Sequence, residues 1–355
     1  MGRGVGAARS GRRAPVTAPA RTRSVLVEGP GQHRLVSAPT PSPGPGEALV
    51  RVAAAGLCGS DREVYDGGRP APYVRYPIVP GHEWAGTVAA VGDGVPDALT
   101  GRKVVGENFR TCLACDRCRA GETSLCAAAY DETGFTRPGA FADTLVVPAR
   151  LLHPLPDDAD LDAAALLEPA AVAAAAALAA RAVPGERIAV LGAGTLGLLV
   201  VRFLAAVSPA ELIAVDPRRA RAEQALAMGA TGTRSPGTGP GGFDVVVETA
   251  GAPDTAATAA ELARRGGRVV LTGLPGSGAR GLDPVRLVTD HLTVRGVFGA
   301  PSAAWTHAVR AFTTGLLDPA PLITHTFPLE RWGEAVALVG SGDPGVGKVL
   351  VRPEA

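Results

Sequence analysis

The stretch Arg187-Ile188-Ala189-Val190-Leu191-Gly192-Ala193-Gly194-Thr195-Leu196-Gly197 decides the fold. Its first five residues read as a short apolar strand, and its last six as G-x-G-x-x-G opening an apolar helical run to about Val207. In a chain with 46 glycines the motif alone carries little weight. A second strand, Leu212-Ile213-Ala214-Val215, ends at Asp216, 19 residues beyond Gly197 and close to the ~20 expected of a ribose-binding acid. Gly192 allows the tight turn, Gly194 lets the backbone approach a pyrophosphate, and Gly197 lets helix pack on strand. The N–H groups around Thr195 and Leu196 open the helix and face the phosphates. A carboxylate at 216 accepts both ribose hydroxyls and repels a 2′-phosphate, which favours NAD over NADP; Arg218 and Arg219 stand close enough to weaken that preference.

Outward from this motif the alternation continues. Pro217 to Met228 reads as a helix, and Asp244-Val245-Val246-Val247, Arg268-Val269-Val270-Leu271 and Leu292 to Val297 read as further strands. The series predicts a doubly wound parallel sheet whose carboxyl edge binds the ligand. Thr249-Ala250-Gly251, Thr272-Gly273 and Phe298-Gly299 fall at that edge and are expected around a nicotinamide, with ordinary strand-end turns as the plain alternative for each. Helical segments near Trp305 to Thr314 and Trp332 to Val339 and a closing strand, Lys348 to Val351, lie outside the series and are expected to return to the other domain. From Val25 the chain is β-rich, with Val25 to Val27, a turn-forming run from Pro39 to Gly46 and the strand Ala48 to Val52, and irregular, glycine-bearing structure is expected from there to about residue 150.

Composition bounds the function. With 355 residues, 46% of them hydrophobic, the chain can bury a sizeable core and divides into two domains. Thirty-five basic against 34 acidic residues leave a net charge of +1, so no global field favours a nucleic acid or an anionic membrane. The most apolar stretch, Ala163 to Ala182, is long enough to span a bilayer but carries Glu168 and Pro169, and reads as a soluble helix with a functional start. Residues 1–23 hold six arginines, no acid and no apolar core of a signal peptide; a disordered tail and a cytoplasmic protein are expected.

Five cysteines divide into two tasks. Cys112, Cys115, Cys118 and Cys126 follow C-x2-C-x2-C-x7-C, which suits a closed four-thiolate zinc. An iron–sulfur cluster is the rival, but there the fourth cysteine comes after about three residues and precedes proline. Here the gap is seven and Ala127 follows. Cys58 stands apart in Cys58-Gly59-Ser60-Asp61. Alone it reads as a buried apolar cysteine. With Pro80-Gly81-His82-Glu83-Trp84 and Leu167-Glu168-Pro169 it completes a thiolate, imidazole and carboxylate set of the kind that binds an open, catalytic zinc.

In this order and spacing, the Cys58-Gly59-Ser60-Asp61 and Gly81-His82-Glu83-x-x-Gly86 motifs, the four-cysteine lobe, Leu167-Glu168-Pro169 and the nucleotide motif resemble the zinc-dependent medium-chain dehydrogenase/reductase family. The resemblance covers about residues 25 to 352, and the acidic Glu168 is similar to the polyol and threonine dehydrogenase branch. It implies an α/β protein: a β-rich GroES-like catalytic domain (24–158 and 300–355, with the zinc lobe at about 107–127) and a Rossmann domain (159–299). It implies that Cys58, His82 and Glu168 bind the catalytic zinc, that Glu83 can enter its coordination sphere, and that Ser60 takes the substrate proton. Glu63 stands where most relatives have a relay histidine; it passes the proton on at a different pKa or binds a cationic substrate group.

The implied activity is hydride transfer from a secondary alcohol to NAD, with catalytic and structural zinc. The stretch Gly106-Glu107-Asn108-Phe109 falls where relatives face their substrate and is polar, which favours a polyol, cyclitol or aminocyclitol; Arg137 and Glu63 are further hydrogen-bonding candidates. Segments around His82 and in Gly134-Phe135-Thr136-Arg137 look similar to aminocyclitol dehydrogenases. A threonine dehydrogenase-like or simple secondary-alcohol activity, a zinc-free reductase and a non-catalytic dinucleotide-sensing zinc protein are the alternatives. A homo-oligomer, dimer or tetramer, is expected; the edge strand Leu292 to Val297 offers one route to dimers, with a covered edge as the plain alternative.

Overall fold

A computed structural model of the chain describes residues 18–276 and 278–353. Strand β1 (Arg21–Gly29) pairs antiparallel with β2 (Gln32–Pro39). The Arg-rich tail expected over 1–23 therefore needs correction at its end: Arg21 and Arg23 lie in a strand, and Arg23 pairs with Asp143 at 2.7 Å. Residues 1–17 fall outside the described residues.

Strand β3 (Glu47–Leu57) is the centre of the catalytic unit; Val50, Val52, Ala54, Ala55 and Leu57 on it are all buried. It leads into helix α1 (Gly59–Asp66). Then come β4 (Glu83–Val91), β5 (Lys103–Gly106), the one-turn α2 (Asp116–Arg119) of the cysteine lobe, β6 (Thr144–Pro148) and β7 (Leu152–Pro154). A single turn, α3 (Leu161–Ala164), precedes α4 (Leu167–Ala180). This alanine-rich helix is apolar all round, as a helix enclosed by protein must be, and it ends where Arg181 turns left-handed at φ 48°. Among the described residues no helix is long and apolar enough to cross a membrane.

The nucleotide-binding unit follows as β8 (Arg187–Leu191), α5 (Thr195–Ala205), β9 (Glu211–Val215), α6 (Arg219–Ala227), β10 (Gly232–Arg234), β11 (Phe243–Glu248), α7 (Thr255–Leu262), β12 (Ala263–Leu271), α8 (Pro284–Thr289) and β13 (Thr293–Gly296). Its strands are parallel in the order β10-β9-β8-β11-β12-β13, so the direction of winding reverses between β8 and β11. That crevice is where open α/β sheets bind ligands. The short β10 went unread because Gly232-Thr233-Arg234 has no apolar run. At the other edge β13 exposes Thr293, Arg295 and Gly296.

Helix α9 (Ser302–Thr313) corrects the domain boundary. Expected with the catalytic unit, it buries Ala304, Trp305 and Ala308 in the same core as α4 and α5. Only the later elements return: β14 (Ile323–Pro328), α10 (Trp332–Leu338) and β15 (Lys348–Arg352), with β15 pairing antiparallel to β3. The catalytic sheet runs β14-β15-β3-β4-β5-β7, with β6 also on β3. A cleft of about 740 Å³ opens between the two units, lined from one side by Cys58, Ser60, His82 and Glu168 and from the other by Gly194, Thr249, Thr272 and Phe298.

Candidate active site

Three backbone devices bring the expected metal-binding side chains together. Cys58 caps α1: its sulfur accepts the Ser60 N–H at 3.3 Å while Asp61 accepts the Cys58 N–H at 3.0 Å, a reciprocal capping box. His82 enters β4 from Gly81, whose φ of 102° and contact with the Phe141 backbone leave no room for a side chain. Glu168 stands in the first turn of α4. The Cys58 sulfur lies 3.2 Å from His82 Nε2. Ligand atoms of Cys58, Asp61 and His82 lie within 4.8 Å of one another, and so do those of His82, Glu83 and Glu168. His82 is common to both groups.

The electrostatics of this set call for a cation. Burial raises the Cys58 thiol, although His82 beside it pulls the other way. Burial disfavours the imidazolium, yet Cys58 and Asp61 together hold His82 well above its ordinary range. Burial pushes the Glu168 carboxyl up to about 7 against the pull of His82. His82 Nδ1 and Asp61 Oδ1 are buried without a hydrogen bond, 3.5 Å apart. A buried thiol, imidazole and carboxylate that repel or underpair one another are a donor set that divalent zinc satisfies. The carboxylate of Glu83 is already held, by Lys348 Nζ at 2.7 and 2.5 Å.

In the lobe, the sulfurs of Cys112, Cys115, Cys118 and Cys126 all lie within 4.8 Å of one another and none is in a disulfide. The spacings from Cys112 are 3.5 Å to Cys126 and 4.0 Å to Cys118, bracketing the ~3.8 Å edge of a zinc–thiolate tetrahedron. Backbone N–H groups of Ala127 and Cys118 bring the Cys115 thiol down to about 6, a bias toward the thiolate that binds metal.

The nucleotide motif is positioned as its spacing predicts. Gly192 turns at φ 94°, and a side chain at Gly197 would run into the Gly192 carbonyl. Gly194, Thr195 and Leu196 open α5 toward the cleft. Asp216 accepts the Ala193 N–H at 2.9 Å, and Arg218 folds back onto it with Nε at 3.1 Å. Burial favours the neutral acid, but these partners win and hold its carboxyl below the usual range. Arg221, rather than Arg219, shares the cleft; Arg219 is paired outside with Glu223. Thr249, Thr272 and Phe298 line the cleft, whereas Gly251 and Gly273 pack on each other behind it. The Thr249 hydroxyl is spent on the Leu191 and Gly192 carbonyls, where it braces the phosphate turn.

Several expectations about the substrate end change. Glu63 does not line the cleft; its side chain is 51% exposed, 4.0 Å from Arg69. Arg137 binds Asp131 at the surface. Glu107 turns away from the cleft: it accepts from Ser302 at 2.7 Å and meets His153 at 3.1 Å, tying β5 and β7 to α9. Asn108 donates to Glu168 at 3.1 Å, and of that stretch only Phe109 reaches the cleft. The polar lining comes instead from Arg69 and Glu132, neither singled out by the sequence because both sit in irregular loops. Glu132 is only 5% exposed, and burial pushes its carboxyl up to about 8. Asp61 lay within a quoted motif without a role, and Lys348 reaches the site only through β15.

The Alcohol dehydrogenase GroES-like domain model matches residues 44–157 and the Zinc-binding dehydrogenase model residues 195–314. An L-threonine 3-dehydrogenase of Deinococcus deserti is 32% identical over 324 residues, 88% of this chain and 93% of that protein. The cobalt- and zinc-bound thermostable alcohol dehydrogenase of Pyrobaculum aerophilum is 32% identical with a TM-score of 0.84, covering 94% of this chain and 100% of that one. Galactitol-1-phosphate dehydrogenase of Escherichia coli is 29% identical with a TM-score of 0.83, over 93% and 100%. With a GroES-like unit, a dinucleotide-binding unit and both cysteine sets in place, this chain belongs to the zinc-dependent alcohol dehydrogenase family, oxidoreductases that act on CH–OH with a nicotinamide cofactor.

Proposed function

We propose that the protein oxidises a secondary alcohol of a polyhydroxylated substrate, a cyclitol, aminocyclitol or hexitol, with NAD as acceptor. One observation carries the substrate class: every cation among the described residues lining the cleft is already engaged. Arg218 lies on Asp216, Arg221 donates to the Val346 carbonyl, Lys348 is buried on Glu83, and Arg69 donates to the Tyr73 carbonyl and the Tyr130 hydroxyl. At the metal end the one guanidinium among the described residues, Arg69, already spends Nε and Nη2 on Tyr73 and Tyr130, so the carboxylate of threonine would meet a shared cation, despite the threonine dehydrogenase relatives. Hydroxyl groups need no such partner, and the galactitol-1-phosphate dehydrogenase relative supports a polyol.

Cys58, His82 and Glu168 would hold the catalytic zinc and the four lobe cysteines the structural one. Bound zinc supplies Lewis-acid polarisation of a hydroxyl, and bound NAD the hydride acceptor. The protein's own part is alignment and proton handling. Ser60, on the cleft wall two residues from Cys58, accepts the substrate's hydroxyl proton at Oγ as it releases its own to solvent in the open cleft. Asp61 fixes the Cys58 backbone and faces the far nitrogen of His82, orienting both ligands. Asn108 does the same for Glu168. The first N–H groups of α5 receive the pyrophosphate. NADH production over a panel of inositols, aminocyclitols, hexitols, 2-butanol and threonine tests the reading. A kcat/KM highest for threonine, or for 2-butanol, would show that the polar wall does not select the substrate.

Asp216 sets the cofactor preference through Arg218. Asp216→Ser removes the ribose-binding carboxylate and frees Arg218, beside Arg221, to meet a 2′-phosphate. The ratio of kcat/KM for NAD over NADP is expected to fall roughly 10- to 100-fold. Steady-state kinetics with each cofactor read it, and an unchanged ratio would mean that the ribose lies elsewhere.

A further inference from the structure

Glu132 is the one acid of the cleft left without a task. It is 5% exposed, it lines the cleft, and its Oε2 is buried without a hydrogen-bond partner. Its nearest cation, Arg69 Nη2, is 3.8 Å away, too far for a hydrogen bond, and that nitrogen donates to the Tyr130 hydroxyl at 2.8 Å instead. Arg69 is further held by stacking on Phe135, 3.6 Å from the ring centroid, and by the Tyr73 carbonyl, so it cannot swing over. The nearby Thr136 hydroxyl is committed to the backbone of Glu132 itself, which donates to it at 2.8 Å. A buried carboxyl oxygen costs free energy until a donor reaches it, and Glu132 lines the cleft into which a substrate brings its hydroxyl and amine donors.

The loop's packing aims this acid at the reacting end. Glu132 is bridged to Phe109, and the Thr133 N–H donates to the Asn108 carbonyl at 3.0 Å, so the 131–133 segment is zipped to the segment that holds Glu168 in place. Phe135, three residues on, lies against the His82 ring with centroids 4.7 Å apart. On the same side Phe109 faces Phe298 of the nucleotide-binding unit, with centroids 6.2 Å apart. The cleft therefore offers aromatic faces and, on the same side as the metal-binding imidazole, one unspent carboxyl group, whose carbonyl oxygen accepts a hydrogen bond whether or not the acid is ionised. A ring that carries C–H groups on its faces and hydrogen-bond donors at its rim matches both.

We propose that Glu132 is a specificity-determining residue that accepts a hydrogen bond from a substrate donor, a hydroxyl or an ammonium, on the ring beside the carbon being oxidised. This rests on the polyol reading above and adds the residue that enforces it. The carboxylate distinguishes a polyhydroxylated ring from a plain ring alcohol, because only the former brings the donor that the buried oxygen lacks.

The test compares kcat/KM for myo-inositol, an amino-deoxyinositol and cyclohexanol in the wild-type holoenzyme and in Glu132→Gln and Glu132→Ala. Calorimetric titration of the enzyme–NADH complex with myo-inositol reads binding apart from turnover. The preference for the polyol over cyclohexanol is expected to fall roughly 10- to 100-fold in Glu132→Ala, with a matching rise in Kd. Equal losses for inositol and its amine assign the donor as a hydroxyl, and a larger loss for the amine assigns it as an ammonium. Wild-type oxidation of inositol with the preference retained in both variants overturns this inference alone. Proportional losses on all three substrates overturn it too, since they would make Glu132 a support of the loop. A wild-type enzyme that oxidises hexitols but no ring polyol overturns this inference alone, and one that oxidises neither overturns the substrate reading with it.

Discussion

Cys58→Ser is expected to lower kcat by at least about a thousandfold, equivalent to roughly 4 kcal/mol of lost transition-state stabilisation, while leaving NADH binding unchanged. The thiol sits at the N-cap of α1, 3.2 Å from His82 Nε2, so a serine there keeps the cap but offers zinc a neutral hydroxyl in place of a thiolate. Metal analysis should show a drop from about two zinc ions per chain to about one, because the lobe cysteines are untouched. NADH binding, followed by fluorescence, should persist, since the phosphate turn belongs to β8 and α5 in the other unit. Retention of full activity, or loss of both zinc ions, would refute the role given to Cys58.

The largest expected effect on stability belongs to Lys348→Met. Lys348 is 4% exposed, and its ammonium donates to both oxygens of Glu83 and, at 3.2 Å, to the Leu57 carbonyl. Burial works against its charge, but Glu83 and then Cys58 raise its pKa above the ordinary lysine value. Methionine fills a similar volume without a charge, leaving the Glu83 carboxylate, itself 2% exposed, unpaired beside the other acids of the site. Breaking a buried ion pair from one side costs about 3–5 kcal/mol, enough in a chain of this length to lower the Tm by about 4–7 °C. Adding Glu83→Gln should restore much of the loss, because the stranded charge disappears with its partner. A Tm unchanged in Lys348→Met would show that the pair is dispensable.

Much of this enzyme was legible in its sequence. The strand Arg187–Leu191 and the helix from Thr195 begin and end where the apolar run and the glycines place them, because a phosphate turn is a local structure with a local signature. The four lobe cysteines converge for a similar reason: 15 residues of chain cannot separate four sulfurs far once one ion is to hold them. Cys58, His82 and Glu168 come from distant segments, and family resemblance rather than spacing brought them together on the page. The chain capped α1 with Cys58, set His82 immediately before β4 and Glu168 in the first turn of α4, and the packing of those three elements supplied the rest.

The substrate end was another matter. Glu107, Arg137 and Glu63 have the right chemistry for a polar cleft, yet one is tied to Ser302, one to Asp131, and one stands outside beside Arg69. Which way a loop side chain points depends on partners far away in sequence, and Glu107 and Ser302 are 195 residues apart. The same holds for Lys348, which meets Glu83 only because β15 returns to pair with β3. The local pattern of residues thus determined the nucleotide-binding sheet, its phosphate turn and the metal-binding residue types, whereas β4 to β7 stand where the sequence reads as irregular, because these strands gain their pairing from β3 and from one another. Only the tertiary fold decided which acids line the cleft, because burial and charge pairing are properties of neighbours in space.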